Sequence, residues 1–232
     1  MILFLAAAIA AAAPAPAPRQ ACPDVVTPEA FVCRALEASG AGKPDASAAA
    51  FEQAALATAD GDPAKARMLA AAGNMWIAAN QPGKAALALD RALAGTALQA
   101  EQRGEALLDR ARAAEAQNDL KTARAKLNEA AATIAADPFY WYFSAALAIR
   151  EENRATAQYA IGRALSLAPA DPTILFEAGH VAHFAGDMAK ARLYWTQASQ
   201  FDRDGPIGKA ALEALRLLPA PVTPKAPPAK NN

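Results

Sequence analysis

The chain has 232 residues, with 23 Lys and Arg set against 23 Asp and Glu and a 54% hydrophobic fraction that is largely alanine. The even balance leaves no basic footprint for nucleic acid, and alanine, the best helix former, supplies the apolar content without implying a membrane protein. No alternating Val/Ile/Thr runs bounded by turns occur, so the chain reads as all-α.

In chain order, Met1 to Ala13 (MILFLAAAIAAAA) is apolar throughout and runs into PAPAPRQA. It is too short to span a bilayer, which needs roughly 20 apolar residues. It suits the hydrophobic region of a secretion signal, assigned here to residues 1–21, although no Lys or Arg precedes it. An uncleaved apolar tail is the alternative. Export makes Cys22 and Cys33, the only cysteines, a candidate disulfide that clips Cys22–Thr27 onto the first helix. Lipidation at Cys22 competes, but Arg19-Gln20-Ala21 places Arg where a lipoprotein signal wants Leu or Val. Neither CxxC nor a His-rich cluster accompanies the cysteines, so a redox or zinc role lacks support.

Small residues then recur at Ala35, Gly73, Ala111, Ala145 and Gly179, spaced first by 38 and then by 34 residues. The pattern is sharpest from Asp137 to Arg203. There Asp137-Pro138, Trp141, Ala145, Asn153, Ala157 and Ala164 are matched 34 residues later by Asp171-Pro172, Leu175, Gly179, Asp187, Ala191 and Ala198. In each copy Asp can cap a helix that Pro begins. The small residues let two antiparallel helices approach, and Glu152-Asn153 or Gly186-Asp187 makes the turn between them. Trp141, Ile161, Leu175 and Trp195 supply the large apolar knobs. A period of this length marks stacked helix-turn-helix units, none of which buries its apolar face alone.

These residues resemble the tetratricopeptide repeat of exported bacterial proteins, although Ala148 and Ala182 stand where the family prefers an aromatic and Arg203 replaces a common Pro. The resemblance covers about residues 28–205. It implies a right-handed superhelical α-solenoid of about five units, near 28–62, 66–99, 104–137, 138–171 and 172–205. A first unit uses Phe31, Ala35, Phe51 and Ala54, turning at Gly40–Pro44 with Asp45 as cap. Four extra residues are expected near Ala59–Asp62 and again near Gly95–Ala97, as loops or lengthened second helices. A capping helix at 206–218, with Ile207, Leu212, Leu215 and Leu218 at helical spacing, covers the open end. The Pro- and Lys-rich 219–232 reads as a disordered tail.

The family holds a peptide or partner helix in a concave groove lined by the first helices. Carried over, the groove positions are Arg67, Ala70, Asn74 and Ile77; Glu105, Leu108, Arg112 and Glu115; Phe139, Tyr142, Ala146 and Ile149; and Thr173, Phe176, His180 and His183. One subset of the family grips a C-terminal carboxylate with Lys, Asn and Arg. Asn74 matches, but Ala70 lacks the Lys and Asp109 replaces an Asn, so that clamp is not expected.

Phe139 to Phe143 are five consecutive aromatics, which cannot all face one side of a helix. Trp141 is expected in the core, with Phe139 and Tyr142 projecting to the groove; packing against neighbouring helices is the favoured reading of the two, and anchoring a partner is the alternative. Glu177-x-x-His180-x-x-His183 is the only candidate metal chemistry, and a pair of satisfied groove histidines is the preferred reading. No phosphate loop or nucleophile elbow is present. The sequence therefore reads as a non-enzymatic, cofactor-free adaptor of the periplasm or exterior, binding protein or peptide and lacking a membrane span after signal removal. A periplasmic peptide holdase is the alternative, ahead of glycan binding or a metal-dependent role.

Overall fold

The computed structural model describes residues 21–219, and there the chain forms eleven α-helices and no strand. They are α1 (Pro28–Gly40), α2 (Pro44–Ala57), α3 (Pro63–Ala78), α4 (Pro82–Leu93), α5 (Ala100–Ala116), α6 (Leu120–Ile134), α7 (Pro138–Arg150), α8 (Arg154–Leu167), α9 (Pro172–Phe184), α10 (Met188–Phe201) and α11 (Pro206–Leu217). Residues 1–20, within the expected signal segment, and residues 220–232, within the expected tail, lie outside the described residues.

Local chemistry sets the helix starts. Asp137 accepts from the Phe139 amide at 2.9 Å, and Asp171 from Thr173 at 2.8 Å and Ile174 at 3.1 Å, with Pro next in both cases. Proline there gives up only an amide that the helix leaves unpaired. Asp119, Asn153 and Asp187 cap the second helices of their units in the same way. In the first unit the cap is Lys43, without a side-chain bond, and Asp45 falls inside the first turn of α2 instead.

Every turn within a unit is one backbone device. The amides of Lys43, Gln81, Asp119, Asn153 and Asp187 each bond a carbonyl five residues back at 2.9 Å. The residue before each is left-handed: Gly42, Asn80, Asn118, Glu152 and Gly186, with φ from 54° to 85°. This 6→1 bond closes the orphan carbonyls of a helix end, and its five copies fix the phase of five helix pairs.

The extra residues differ from expectation. They lengthen the first helices of the second and third units: α3 has 16 residues and α5 has 17, whereas α1, α7 and α9 have 13. Asp62-Pro63 starts α3 early, and a capping box between Gln99 and Gln102 starts α5 early. Arg103 ties down the preceding loop by donating to the carbonyls of Leu93 and Gly95.

Within a unit the helices close over alanine and glycine. Ala35, Ala54, Ala111, Ala123, Ala145, Ala157 and Ala191 are fully buried. A Cβ on Gly73 would lie 2.4 Å from Leu89 Cγ, and one on Gly179 would lie 2.2 Å from Trp195 Nε1. The core runs as successive clusters along the stack, each sharing side chains with the next, as expected of a quasi-one-dimensional repeat.

Two expected core placements shift. Tyr140 is the buried member of the aromatic run, while Trp141 is half-buried and touches the clusters on both sides of the boundary between the third and fourth units. Trp141 donates to the Ala135 carbonyl at 2.7 Å and is covered by Tyr159 and Arg163. In α11 the small residues Gly208 and Ala211 make the closest approach, with Leu218, and Leu212 faces outward. Cys22 and Cys33 are joined by a disulfide, and Arg34 donates to the carbonyls of Pro23 and Val25, so the segment before α1 is held to it twice.

Candidate interaction groove

First helices lie side by side, α3 against α5 and α7 against α9, whereas α5 and α7 meet over little of their length. Side chains bridge that wider interval: Arg150 donates to the carbonyl and carboxylate of Glu115 and to Asn118 Oδ1 at 2.8 Å. On the neighbouring α6–α7 contact, Arg124 reaches Glu151 at 2.6 Å and the buried Ser144 at 3.1 Å.

Between α1, α3 and α5 opens a groove of about 530 Å³. Its apolar lining includes Leu36, Phe51, Met75, Leu98 and Leu108, and its polar lining includes Arg67, Asn74, Glu105 and Asp109. Leu36 is 61% exposed and turns toward this space rather than into a core. Asn74 donates to Asp109 at 2.8 Å, and Arg112 also bonds Asp109, at 2.9 Å. A ligand carboxylate approaching Asn74 would therefore meet an anion. Glu105 is exposed at the edge of the groove. Its carboxyl is pushed above the ordinary carboxylate range, first by partial burial and then by Glu101, Asp109 and Asp137.

Farther along, Phe139 is 45% exposed and meets Tyr142 edge-on, with ring centroids 6.3 Å apart. Burial, followed by the charge of Glu177, pushes the Tyr142 phenol above its usual value. Glu177 is buried and approaches His180 Nδ1 at 3.3 Å. His180 also meets Phe176 and Trp195 edge-on, while His183 lies tilted over Trp195. Glu177 and the two histidines thus do not converge on one point. Among the described residues no group of three His, Cys, Asp or Glu side chains is placed to hold a metal ion.

Of the sequence-derived positions, Arg67, Asn74 and Glu105 line the one groove, and Arg112 supports it through Asp109. Phe139, Tyr142, Phe176, His180 and His183 belong to a separate aromatic stretch. Ile149 is half-buried against the core of the fourth unit. Leu36, Phe51, Met75 and Leu98 were not among the expected lining. Phe51 and Leu98 lie outside the first helices, so positions carried along those helices alone omit them. The acids at Glu101, Glu105 and Asp109, one helical turn apart, were a readable signal.

Among the described residues no helix is long and apolar enough to cross a membrane. No family model matches the sequence, and no curated protein matches it. Solved structures do. The MamA protein superposes with a TM-score of 0.59 at 18% identity, covering 83% of this chain and 98% of that one. PilW, described as a widely conserved type IV pilus biogenesis factor, gives 0.66 at 18% identity over 80% and 82%. YrrB, described as a TPR protein with an unusual peptide-binding site, gives 0.56 at 15% identity over 79% and 91%. With five identical turns and a stack of paired helices, these likenesses establish that the chain has the tetratricopeptide-repeat fold.

Proposed function

We propose that the protein is a non-enzymatic protein-interaction scaffold of the cell envelope that holds a partner peptide or helix along its first helices. The observation that carries this reading is the open, apolar-lined groove between α1, α3 and α5. Large apolar side chains such as Leu36 remain uncovered there, and such surfaces on a soluble protein mark interaction sites. The description of YrrB as a protein with a peptide-binding site supports the same use of the fold. Export is supported by the apolar stretch Met1–Ala13 and by the Cys22–Cys33 disulfide, which persists in oxidising compartments.

The test is crosslinking in the native cell from photoreactive residues placed at Leu36 and, separately, at Tyr142, followed by mass spectrometry and fractionation. One dominant polypeptide, trapped from the envelope fraction and lost in Leu108→Glu, is the expected result. A broad set of unrelated polypeptides would replace the adaptor with a holdase. No adduct from either position would remove the groove as the binding surface, and recovery in the cytoplasmic fraction would remove the envelope assignment.

A further inference from the structure

Folding alone does not account for the distribution of charge around the groove. Glu101 and Glu105 lie one turn apart on α5 and form no ion pair among the described residues. The Glu105 carboxyl is pushed up first by partial burial and then by three acids, Glu101, Asp109 and Asp137. Arg67 lines the α3 side of the same groove and, like Glu105, forms no ion pair among the described residues. Asp109 is neutralised locally by Asn74 and Arg112, which leaves Glu101 and Glu105 as the uncompensated pair. Directly beside Glu105 lies apolar surface from Leu36, Met75, Leu98 and Leu108.

We propose that this groove takes a cationic amphipathic peptide segment, with an apolar side chain between Leu36, Met75 and Leu108 and a neighbouring Lys or Arg against Glu105 and Glu101. The inference rests on the groove reading above and adds the chemistry of the partner to it. An incoming cation relieves the repulsion among the acids of α5, and the apolar surroundings strengthen its attraction relative to open water. A C-terminal carboxylate or an acidic segment laid along the α5 side meets Glu105 and Glu101 instead and is disfavoured there. Specificity thus comes from repulsion as well as attraction.

The test is selection from a phage-displayed random-peptide library on the purified protein, on Glu105→Lys and on the groove-blocked Leu108→Glu. Recovered peptides are then titrated by fluorescence anisotropy. Expected are sequences with Lys or Arg next to Leu, Met or Phe. Their affinity should fall about tenfold or more in Glu105→Lys, to a smaller extent in Glu105→Gln, and steeply between about 0.05 and 0.3 M salt. Circular dichroism checks that each variant remains helical, and the neutral Glu105→Gln keeps the test valid should the reversal disturb the fold. Neutral or acidic winners would overturn the charge inference and leave the groove reading standing, as would peptides blocked by Leu108→Glu but changed less than about twofold by both Glu105 variants. Failure to enrich any peptide over an unrelated helical protein, or winners indifferent to all three variants, would overturn both.

Discussion

Gly179→Ala is a sharp test of how the helix pairs close. An added Cβ would lie 2.2 Å from Trp195 Nε1, 2.3 Å from Cδ1 and 2.6 Å from Cε2, whereas carbon contacts become favourable near about 3.5 Å. The indole is 4% exposed and donates to the Phe176 carbonyl at 3.0 Å, so it has to retreat by more than about 1 Å and strain or lose that bond. Overpacking of this kind costs about 1–3 kcal/mol, and the weakened hydrogen bond adds about 1 kcal/mol. Against this, alanine gains about 1 kcal/mol in helix propensity. The net is a loss of about 2 kcal/mol, or a fall in Tm of roughly 4–8 °C for a chain of this size. Gly162 is also helical, on α8, but its Cβ position is open, with nothing within 4 Å. The same substitution there should stabilise by about 0.5–1 kcal/mol. Thermal unfolding followed by far-ultraviolet circular dichroism reads both signs. An unchanged or raised Tm for Gly179→Ala would refute the close packing of α9 on α10, whatever the behaviour of Gly162→Ala.

Three other perturbations test separate features. Glu152 is a non-glycine residue at φ 56° in the α7–α8 turn, so Glu152→Gly should raise stability by about 0.5–1 kcal/mol; a lower urea midpoint would contradict the role assigned to that turn. Reducing Cys22–Cys33 removes a loop constraint of about 3 kcal/mol, and hydrogen exchange should accelerate before and at the start of α1 while α7–α10 stay protected; uniform acceleration would argue against nearest-neighbour stability. Glu105 has a raised pKa in the fold, so its contribution is favourable below its unfolded pKa and is lost as pH rises through the folded value. Glu105→Gln should therefore exceed the natural protein in denaturant midpoint at neutral pH, with the gap closing as the solution is acidified through the carboxylate range. A gap that is absent or reversed at neutral pH would remove the repulsion among the acids of α5.

The turns were legible because each depends on one or two residues with strong local chemistry. Gly186 or Asn118 takes the left-handed position, and Asp187 or Asp119 then caps the next helix. Spacing was legible too, because Ala35, Gly73 and Ala111 count out the extra residues directly. Their placement was not. Alanine-rich sequence on either side of Asp62 and Gln99 supports helix equally well, and only the Asp62 cap and the Gln99–Gln102 box decide which helix grows. Trp141 misleads for a different reason. A repeat frame assigns it to the interior of its own unit, but it fills the joint between two units, where Ala135, Tyr159 and Arg163 receive it. The groove was half legible: Arg67, Asn74 and Glu105 follow from helical register, while Phe51 and Leu98 enter from a second helix and a connecting loop.

The lengthening of α5 bears directly on which acid matters for recognition. The added turn, about 5 Å of helix, carries Glu101 on α5 one turn before Glu105. Glu101 lies in the first turn, where unpaired amides and the helix dipole favour a carboxylate, so it has a sufficient structural reason to be acidic. Glu105 does not. It lies beyond that first turn, accepts no side-chain hydrogen bond among the described residues, and is repelled by Glu101, Asp109 and Asp137. Glutamine at this position would fold at least as well, so the folding energy gives no reason for a carboxylate there. A group that the fold tolerates at its own expense, at the edge of an open apolar groove, is the one whose charge is most informative about what the groove receives.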